Sequence, residues 1–181
     1  MKRRTLVITA CLLTFASLGV TQDRNGPSAK SDERIIREVR HELLMLPYVG
    51  AFDFIAYKVQ SGTVTLLGDV VRPVTKSDAE GAVKRIEGVE KVDNQINVLP
   101  PSPMDDRLRI RLFRAIYGYS ALQKYELGVQ KPIRIIVQSG RVRLDGVVDS
   151  EADKNLVGIR ANGVSGTFQV TNDLQVTSPQ G

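Results

Sequence analysis

Apolar and polar residues alternate in two stretches of the chain, and each stretch is interrupted by a Ser-Gly pair. The alternating apolar residues are Ile55, Tyr57, Val59, Val64, Leu66 and Val70 around the first pair, and Ile133, Ile135, Val137, Val142 and Leu144 around the second. A period of two around a tight turn predicts a half-buried β-hairpin in each stretch. We expect Gly62 and Gly140 to supply the positive φ angle of the turn, and Gly68 and Gly146 to mark a bulge or a close backbone approach.

Helical spacing appears before and after each hairpin. The leading helices begin near Asp32 and near Asp105 or Asp106, and their apolar stripes are Ile35, Val39, Leu43 and Leu46, and Leu108, Leu112, Ala115, Ile116 and Tyr119. The following helices have stripes at Ala79, Ala82, Val83 and Ile86, and at Val157, Ala161 and Val164, and should end near Gly88 and Gly166. A last strand, 91–98 or 169–176, then pairs parallel to a hairpin strand. Each unit is αββαβ: an α+β fold with a three-stranded mixed sheet and two helices on one face.

The chain contains one unit twice. Residues 59–98 superpose on residues 137–176 without a gap, and the positions that are identical in both copies are Val59, Gln60, Ser61, Gly62, Val64, Leu66, Gly68, Val70, Lys76, Gly88, Val92, Asn94 and Val98. We therefore predict two tandem domains, residues 31–99 and 105–177. A proline-rich linker, 100–104, separates them, a flexible linker, 20–30, precedes them, and a short tail, 178–181, follows.

The N-terminus predicts export. Three basic residues precede an apolar run, residues 5–18, and Ser17 and Gly19 occupy the positions that signal peptidase prefers before a cleavage after Gly19. The run is shorter than the ~20 residues of a membrane span, so a secretory signal peptide over residues 1–19 is favoured over a retained anchor. Lipidation at Cys11 is a less favoured alternative, because apolar residues would remain in the mature arm. The expected location is the periplasm.

Charge and residue usage narrow the function. The net charge of +5 includes three basic residues of the signal peptide, and the second domain, unlike the first, has more basic than acidic residues. One Cys and one His cannot form a Cys/His metal cluster, and glycine-rich phosphate loops and nucleophile elbows are absent from the sequence. His41 is predicted to face solvent. We therefore expect no enzymatic activity, no metal and no cofactor, and export disfavours nucleic acid as a partner.

The repeated motif is an Asp-led helix, V-Q-S-G-x-V-x-L-x-G-x-V, a second helix, and V-x-N-x-[IL]-x-V after a glycine. This pattern resembles the BON domain in tandem, over residues 32–98 and 105–176. The carriers are Gly62, Val64, Leu66, Gly68, Gly88, Val92, Asn94 and Val98, with their second-copy partners including Gly140, Gly146, Gly166 and Asn172. The resemblance implies a non-catalytic envelope protein that binds phospholipid membranes. The second copy departs from the pattern at Thr167 and Pro132, and the motif itself transfers no binding residue.

The helix that opens the second copy carries the candidate site. A second, narrow apolar stripe is predicted nearly opposite its core stripe, flanked by arginines, and the set comprises Arg107, Arg109, Ile110, Arg111, Phe113, Arg114 and Tyr117. Exposed apolar residues beside arginines are typical of helices that lie on an anionic phospholipid surface or in a partner's groove. Packing of the stripe against the first domain or a second chain is the alternative. A soluble protein-interaction or stress-protective module is the alternative function.

Overall fold

The computed structural model describes residues 27–128 and 130–177. The predicted signal peptide with Cys11, residues 20–26 of the predicted linker, and the tail lie outside the described residues. The first repeat comprises α1 (Pro27–Leu44), β1 (Phe54–Gln60), β2 (Thr63–Val70), α2 (Pro73–Lys84), β3 (Lys91–Asn94) and β4 (Asn97–Val98). The second comprises α3 (Pro103–Tyr117), a 3-10 helix (Ser120–Tyr125), β5 (Ile133–Gln138), β6 (Arg141–Val148), α4 (Glu151–Asn162), β7 (Gln169–Asn172) and β8 (Gln175–Val176). The predicted α+β fold in two copies is confirmed.

Each sheet is built around its second strand. β1 pairs antiparallel with β2, while β3 and β4 both pair parallel with the other edge of β2. β5 to β8 repeat this arrangement. The parallel pairing follows from α2 and α4, which carry the chain back across one face of the sheet.

The repeated asparagine explains why the last strand is interrupted. The Asn94 side-chain amide donates to the Lys76 carbonyl of α2 at 3.0 Å, and its oxygen accepts the Ile96 amide at 3.2 Å. Asn172 makes the same pair of contacts, to Lys154 at 2.8 Å and from Leu174 at 3.4 Å. The asparagine therefore holds the break between the two short strands against the helix.

The glycines late in the second strands lie against backbone. Gly68 and Gly146 have φ angles of 125° and 120°. A Cβ atom would overlap the carbonyl oxygen of Phe54 at the first position and of Pro132 at the second. Each glycine therefore lets the start of one hairpin strand approach the end of the other.

Two helix boundaries differ from the sequence-based expectation. α1 begins at Pro27 and α3 begins at Pro103, so both predicted linkers overlap a helix. Proline is favoured in a first helical turn because the amide it lacks has no partner there, and Ser102 caps α3 by accepting the Asp105 amide at 3.2 Å. α3 ends at Tyr117, which leaves Tyr119 outside the helix and 38% exposed rather than in the core.

The two repeats share a contact that involves the segment between α1 and β1. Ala51 of this segment is buried in the core of the second repeat, and its carbonyl accepts the Ile135 amide of β5 at 2.7 Å. The Arg143 guanidinium of β6 donates to the Asp69 carboxylate of β2 at 2.7 Å. Residues before β1 therefore contribute to the packing of the second domain.

Candidate binding surface on the second domain

The buried face of α3 is wider than the sequence pattern predicted. Leu108, Leu112 and Ile116 are buried as expected, but Tyr117 is 0% exposed and Arg109 is 3% exposed. Residues advance by about 100° along a helix, which places Tyr117 opposite Leu108 but only about 100° from Ile116. The expectation that Tyr117 and Arg109 lie on an exposed stripe is therefore wrong, because the buried arc extends to that side.

Tyr117 closes one end of the outer edge of β5. Its hydroxyl donates to the Ile133 carbonyl at 2.6 Å and accepts the Ile133 amide at 3.1 Å. Burial raises the pKa of Tyr117 to about 12, although the bond to Ile133 opposes that rise. The tyrosine is thus an uncharged part of the core whose hydroxyl makes two hydrogen bonds to Ile133.

Arg109 closes the other end of the same edge. Its guanidinium donates to the Val137 carbonyl at 2.6 Å and forms an ion pair with Asp106 one turn earlier on α3. Both of its terminal nitrogens are therefore engaged inside the domain.

Phe113 packs against the first repeat. The ring is half-buried, lies 4.7 Å from the Tyr117 ring centroid and meets Phe52 edge to face with 6.1 Å between centroids. Phe52 follows Ala51 in the segment before β1. Phe113 therefore packs against the first domain, which was the alternative to an exposed position on a membrane-binding stripe.

The remaining predicted residues are accessible. Ile110 is 47% exposed, and Arg107, Arg111 and Arg114 are exposed on the same side of α3. Within the described chain none of these three guanidinium groups forms an ion pair. Residues three and four apart are neighbours on a helix, so the four side chains form one patch.

Two further residues extend this patch, and neither was predicted from the sequence. Met104 is 79% exposed and Phe168 is 86% exposed. They line a recess of about 270 Å³ together with Arg111. Phe168 lies over the turn glycine Gly140, where any Cβ would overlap its ring, and the Arg111 guanidinium lies beside Gly166. We define the basic-apolar surface as Met104, Arg107, Ile110, Arg111, Arg114 and Phe168.

The Asp105 carboxylate borders this recess and already accepts hydrogen bonds from the chain itself. Asp105 accepts the amides of Ser139 and Gly140, each at 2.9 Å. Burial raises the pKa of Asp105, but the hydrogen bonds from Gly140 and Ser139 outweigh that effect and hold the pKa below its ordinary value. Asp105 therefore fixes the turn beneath Phe168 and forms no ion pair with Arg107, Arg111 or Arg114.

The first repeat lacks such a surface. Asp32 bonds to the Ser61 and Gly62 amides as Asp105 does to Ser139 and Gly140, which fixes the correspondence of the two leading helices. The first-repeat positions that match the basic-apolar surface are occupied by Ser31, Arg34, Arg37, Glu38, His41 and Glu90. Arg34 is paired with Glu38 at 3.1 Å and with Glu87 at 3.6 Å. This face of the first repeat therefore differs from the basic-apolar surface in two ways: its Arg34 has acidic partners, and it has no apolar residues at the matching positions.

His41 is exposed on α1, and no group of three or more His, Cys, Asp or Glu residues in the described ranges is placed to hold a metal ion. Among the helices of residues 27–128 and 130–177, none is long and apolar enough to cross a bilayer.

Comparison with known proteins identifies the family. The chain matches the BON domain in two segments, residues 31–100 and 120–178, and it belongs to the BON family. The second match begins after α3, although α3 packs in its domain as α1 does. BON domains are generally binding modules without catalytic activity, typically of periplasmic or envelope proteins.

No curated protein matches the chain. Among solved structures it is similar to CdsD, described as a structural protein of the type III secretion system of Chlamydia trachomatis, with 14% identity, a TM-score of 0.28, and coverage of 80% of this chain and 94% of that chain. The C-terminal domain of CdsD is similar at 13% identity and a TM-score of 0.29, over 80% of this chain and 98% of that chain.

Proposed function

We propose that this protein is a non-catalytic periplasmic module that binds anionic phospholipid surfaces through the basic-apolar surface of its second domain. One observation carries the proposal: two of the most exposed large apolar side chains of the described chain, Phe168 and Met104, lie beside guanidinium groups without acidic partners. Such residues suit the boundary between headgroups and acyl chains.

The energetics favour a surface-bound state. Each arginine near an anionic membrane contributes on the order of 1 kcal/mol, and guanidinium groups bind phosphate oxygens through charge-assisted hydrogen bonds. Full burial of a Phe or Met side chain contributes about 1.5–3 kcal/mol. The backbone at Phe168 and Met104 is already ordered in a turn and a first helical turn. Membrane binding therefore has to immobilise only the side chains, at a cost of about 0.5–1.5 kcal/mol each.

Arg109, Phe113 and Tyr117 have another role in this proposal. They pack within the second domain and against Phe52, so they hold α3 in place. Substituting them would change membrane binding only through the fold.

Vesicle co-sedimentation of the mature protein tests the proposal. Vesicles of phosphatidylcholine with phosphatidylglycerol should pellet the protein, and phosphatidylcholine alone should pellet less. Arg107→Glu with Arg111→Glu, and separately Phe168→Ala, should each lower the bound fraction at least about tenfold, which corresponds to a loss of about 1.4 kcal/mol. Added salt should weaken the arginine contribution.

Matched controls come from elsewhere in the chain. Arg37→Glu with Arg40→Glu makes the same charge change on α1, and Leu127→Ala removes an apolar side chain that is 89% exposed. Both controls should pellet like the parent. Undiminished pelleting of Arg107→Glu with Arg111→Glu would contradict the assignment of this surface. No pelleting with any vesicle would favour the alternative of a soluble interaction or stress-protective module.

A further inference from the structure

The outer edge strands of the two sheets, β1 and β5, differ in how many of their outward backbone groups have hydrogen-bond partners. On β5, four outward backbone groups have partners: Tyr117 bonds to both groups of Ile133, the Ala51 carbonyl accepts the Ile135 amide, and Arg109 donates to the Val137 carbonyl. The side chains of these three strand residues are buried. Ala51, in the segment before β1, therefore supplies one backbone hydrogen bond to the outer edge of β5.

β1 takes the same position in the first repeat without such a cover. Ile55, Tyr57 and Val59 correspond to the three outward residues of β5. Among the described residues, β2 is the only segment whose backbone pairs with β1. The three side chains are half-buried, whereas their counterparts are buried. An edge strand with free amides and carbonyls is a template for pairing with another chain.

A groove runs beside this free edge. It encloses about 400 Å³, with α1 and β1 on one side and residues of the second repeat, from 130–134 and 146–147, on the other. Leu43, Leu44, Ile55 and Tyr57 provide apolar walls, and Leu44 is 46% exposed. The Tyr57 hydroxyl donates to the Ile36 carbonyl at 3.1 Å and so ties β1 to α1 within this region.

The difference between the repeats has a cause in the helices. At the α3 positions of Phe113 and Tyr117, α1 carries Arg40 and Leu44. Phe113 contacts Phe52, and Tyr117 caps β5, so the aromatic pair fills the space that stays open beside β1. The groove between the leading helix and the edge strand is therefore filled in the second repeat and open in the first.

We propose that the open groove binds an extended peptide segment of a partner protein, which adds to β1 as a further strand and places one large apolar side chain against Leu43 and Leu44. The occupant's chemistry follows from the filled version, where Ala51 supplies the backbone contact and Phe52 the aromatic side chain. Backbone bonds to an edge strand provide affinity, and the side-chain pocket provides specificity.

Charge further defines the peptide. Arg40, Lys131 and Arg134 border the groove, and the one carboxylate there, Asp53, accepts the Gly50 amide at 2.9 Å and the Val71 amide at 2.8 Å. Lys131 and Arg134 donate to neutral oxygen atoms of the chain, and neither forms an ion pair with a described carboxylate. An acidic residue next to the apolar anchor therefore suits the site.

A dye-labelled peptide with the sequence of residues 47–54, Pro-Tyr-Val-Gly-Ala-Phe-Asp-Phe, is the probe, because it contains Ala51 and Phe52, which contact β5 and α3 at the equivalent position of the second repeat. Fluorescence anisotropy with the mature protein should show saturable binding. Amide NMR shifts should change at Ile55, Tyr57 and Val59. Replacing the first Phe of the peptide by Ala should weaken binding at least about tenfold.

Leu44→Glu should weaken binding to a similar extent, and its neighbour Met45→Glu should not, because Met45 is 68% exposed and lies outside the groove. Arg107→Glu with Arg111→Glu should bind the peptide normally, which separates this site from the membrane surface. Absence of binding, shifts confined to α3 and β5, or equal binding by Leu44→Glu would each overturn the proposal. The proposal would also be overturned if the protein did not bind the peptide and if Leu44→Glu reduced its binding to vesicles.

Discussion

Asp105 and Gly140 are joined by a 2.9 Å hydrogen bond from the turn amide to a carboxylate oxygen, and Asp32 and Gly62 make the same contact at 3.1 Å in the first repeat. The bond connects the start of a helix to the tip of a hairpin whose Ser-Gly pair has positive φ angles. The carboxylate accepts hydrogen bonds from turn amides that have no partner in the strands. The contact therefore orients each leading helix on its sheet.

Removing this carboxylate charge should destabilise the second domain in a pH-dependent way. Asp105→Asn should lower the free energy of unfolding at neutral pH by about 1.5–3 kcal/mol, the usual contribution of hydrogen bonds to a charged group. Because the folded pKa of Asp105 lies below its ordinary value, its contribution is present above the ordinary pKa and is lost as pH falls through the folded pKa. Urea unfolding between neutral and acidic pH should show the two proteins converging on acidification.

Glu33→Gln is the control for this experiment, because Glu33 is exposed on α1. It should follow the parent at every pH. A constant difference between Asp105→Asn and the parent over the whole pH range would argue against a charge-dependent role.

Two glycine substitutions should have opposite signs. Gly146→Ala places a Cβ on the Pro132 carbonyl oxygen at a φ of 120°, so we expect a loss of at least about 3 kcal/mol or failure to fold. Gly81→Ala lies within α2, where a Cβ would meet only the end of the Arg85 side chain at an ordinary contact distance of 3.8 Å, and it should stabilise by about 0.5–1 kcal/mol. Thermal unfolding measures both, and a tolerated Gly146→Ala would refute the close approach.

Truncating Phe52, which precedes β1, should weaken the second domain. Phe52→Ala removes the edge-to-face contact with Phe113 and loosens the adjacent Ala51 carbonyl from the Ile135 amide. Hydrogen exchange of the Ile135 amide should therefore accelerate at least about tenfold. Tyr48→Ala, in the same segment but 53% exposed, is the control and should leave that amide protected.

The Arg143 guanidinium donates to Asp69 of the first sheet and to Asp145 of its own strand, and its removal should change the titration of Asp145. Burial raises the pKa of Asp145, and the hydrogen bond from Arg143 at 2.7 Å partly offsets the rise. Arg143→Gln should therefore raise the pKa of Asp145 further, as measured by carboxyl NMR. Since a raised folded pKa favours the protonated form, this variant should regain stability relative to the parent on mild acidification.

Arg141→Gln provides the comparison, because Arg141 is exposed on the same strand. It makes an equal charge change and should shift the titration of Asp145 little. Equal shifts in the two variants would show that the bond to Arg143 is not the cause.

Local patterns were enough to predict the fold. Hairpins follow from a period of two around Ser-Gly pairs, and the helix stripes at Ile35 and Val39 or at Leu108 and Leu112 lie in the cores. Helix starts were missed because Pro27 and Pro103 resemble linker residues, although proline also favours a first turn.

The candidate surface was predicted only in part, because it depends on contacts between distant residues. Ala51 and Phe52 extend the buried side of α3, and nothing near Tyr117 in the sequence indicates that they do. Phe168 did have a signal: the repeat places it opposite Glu90, an apolar residue where the first copy has a charge. Met104 was hidden by its place in the predicted linker.

The contact with β5 also has a consequence for the order in which the repeats fold. Ala51 and Phe52 precede β5 in the chain, so a second repeat that folds after the first finds these residues already in place. A free edge strand on a partly folded chain invites pairing with neighbouring copies. With the repeats in the opposite order, β5 would precede these residues and would be open to such pairing.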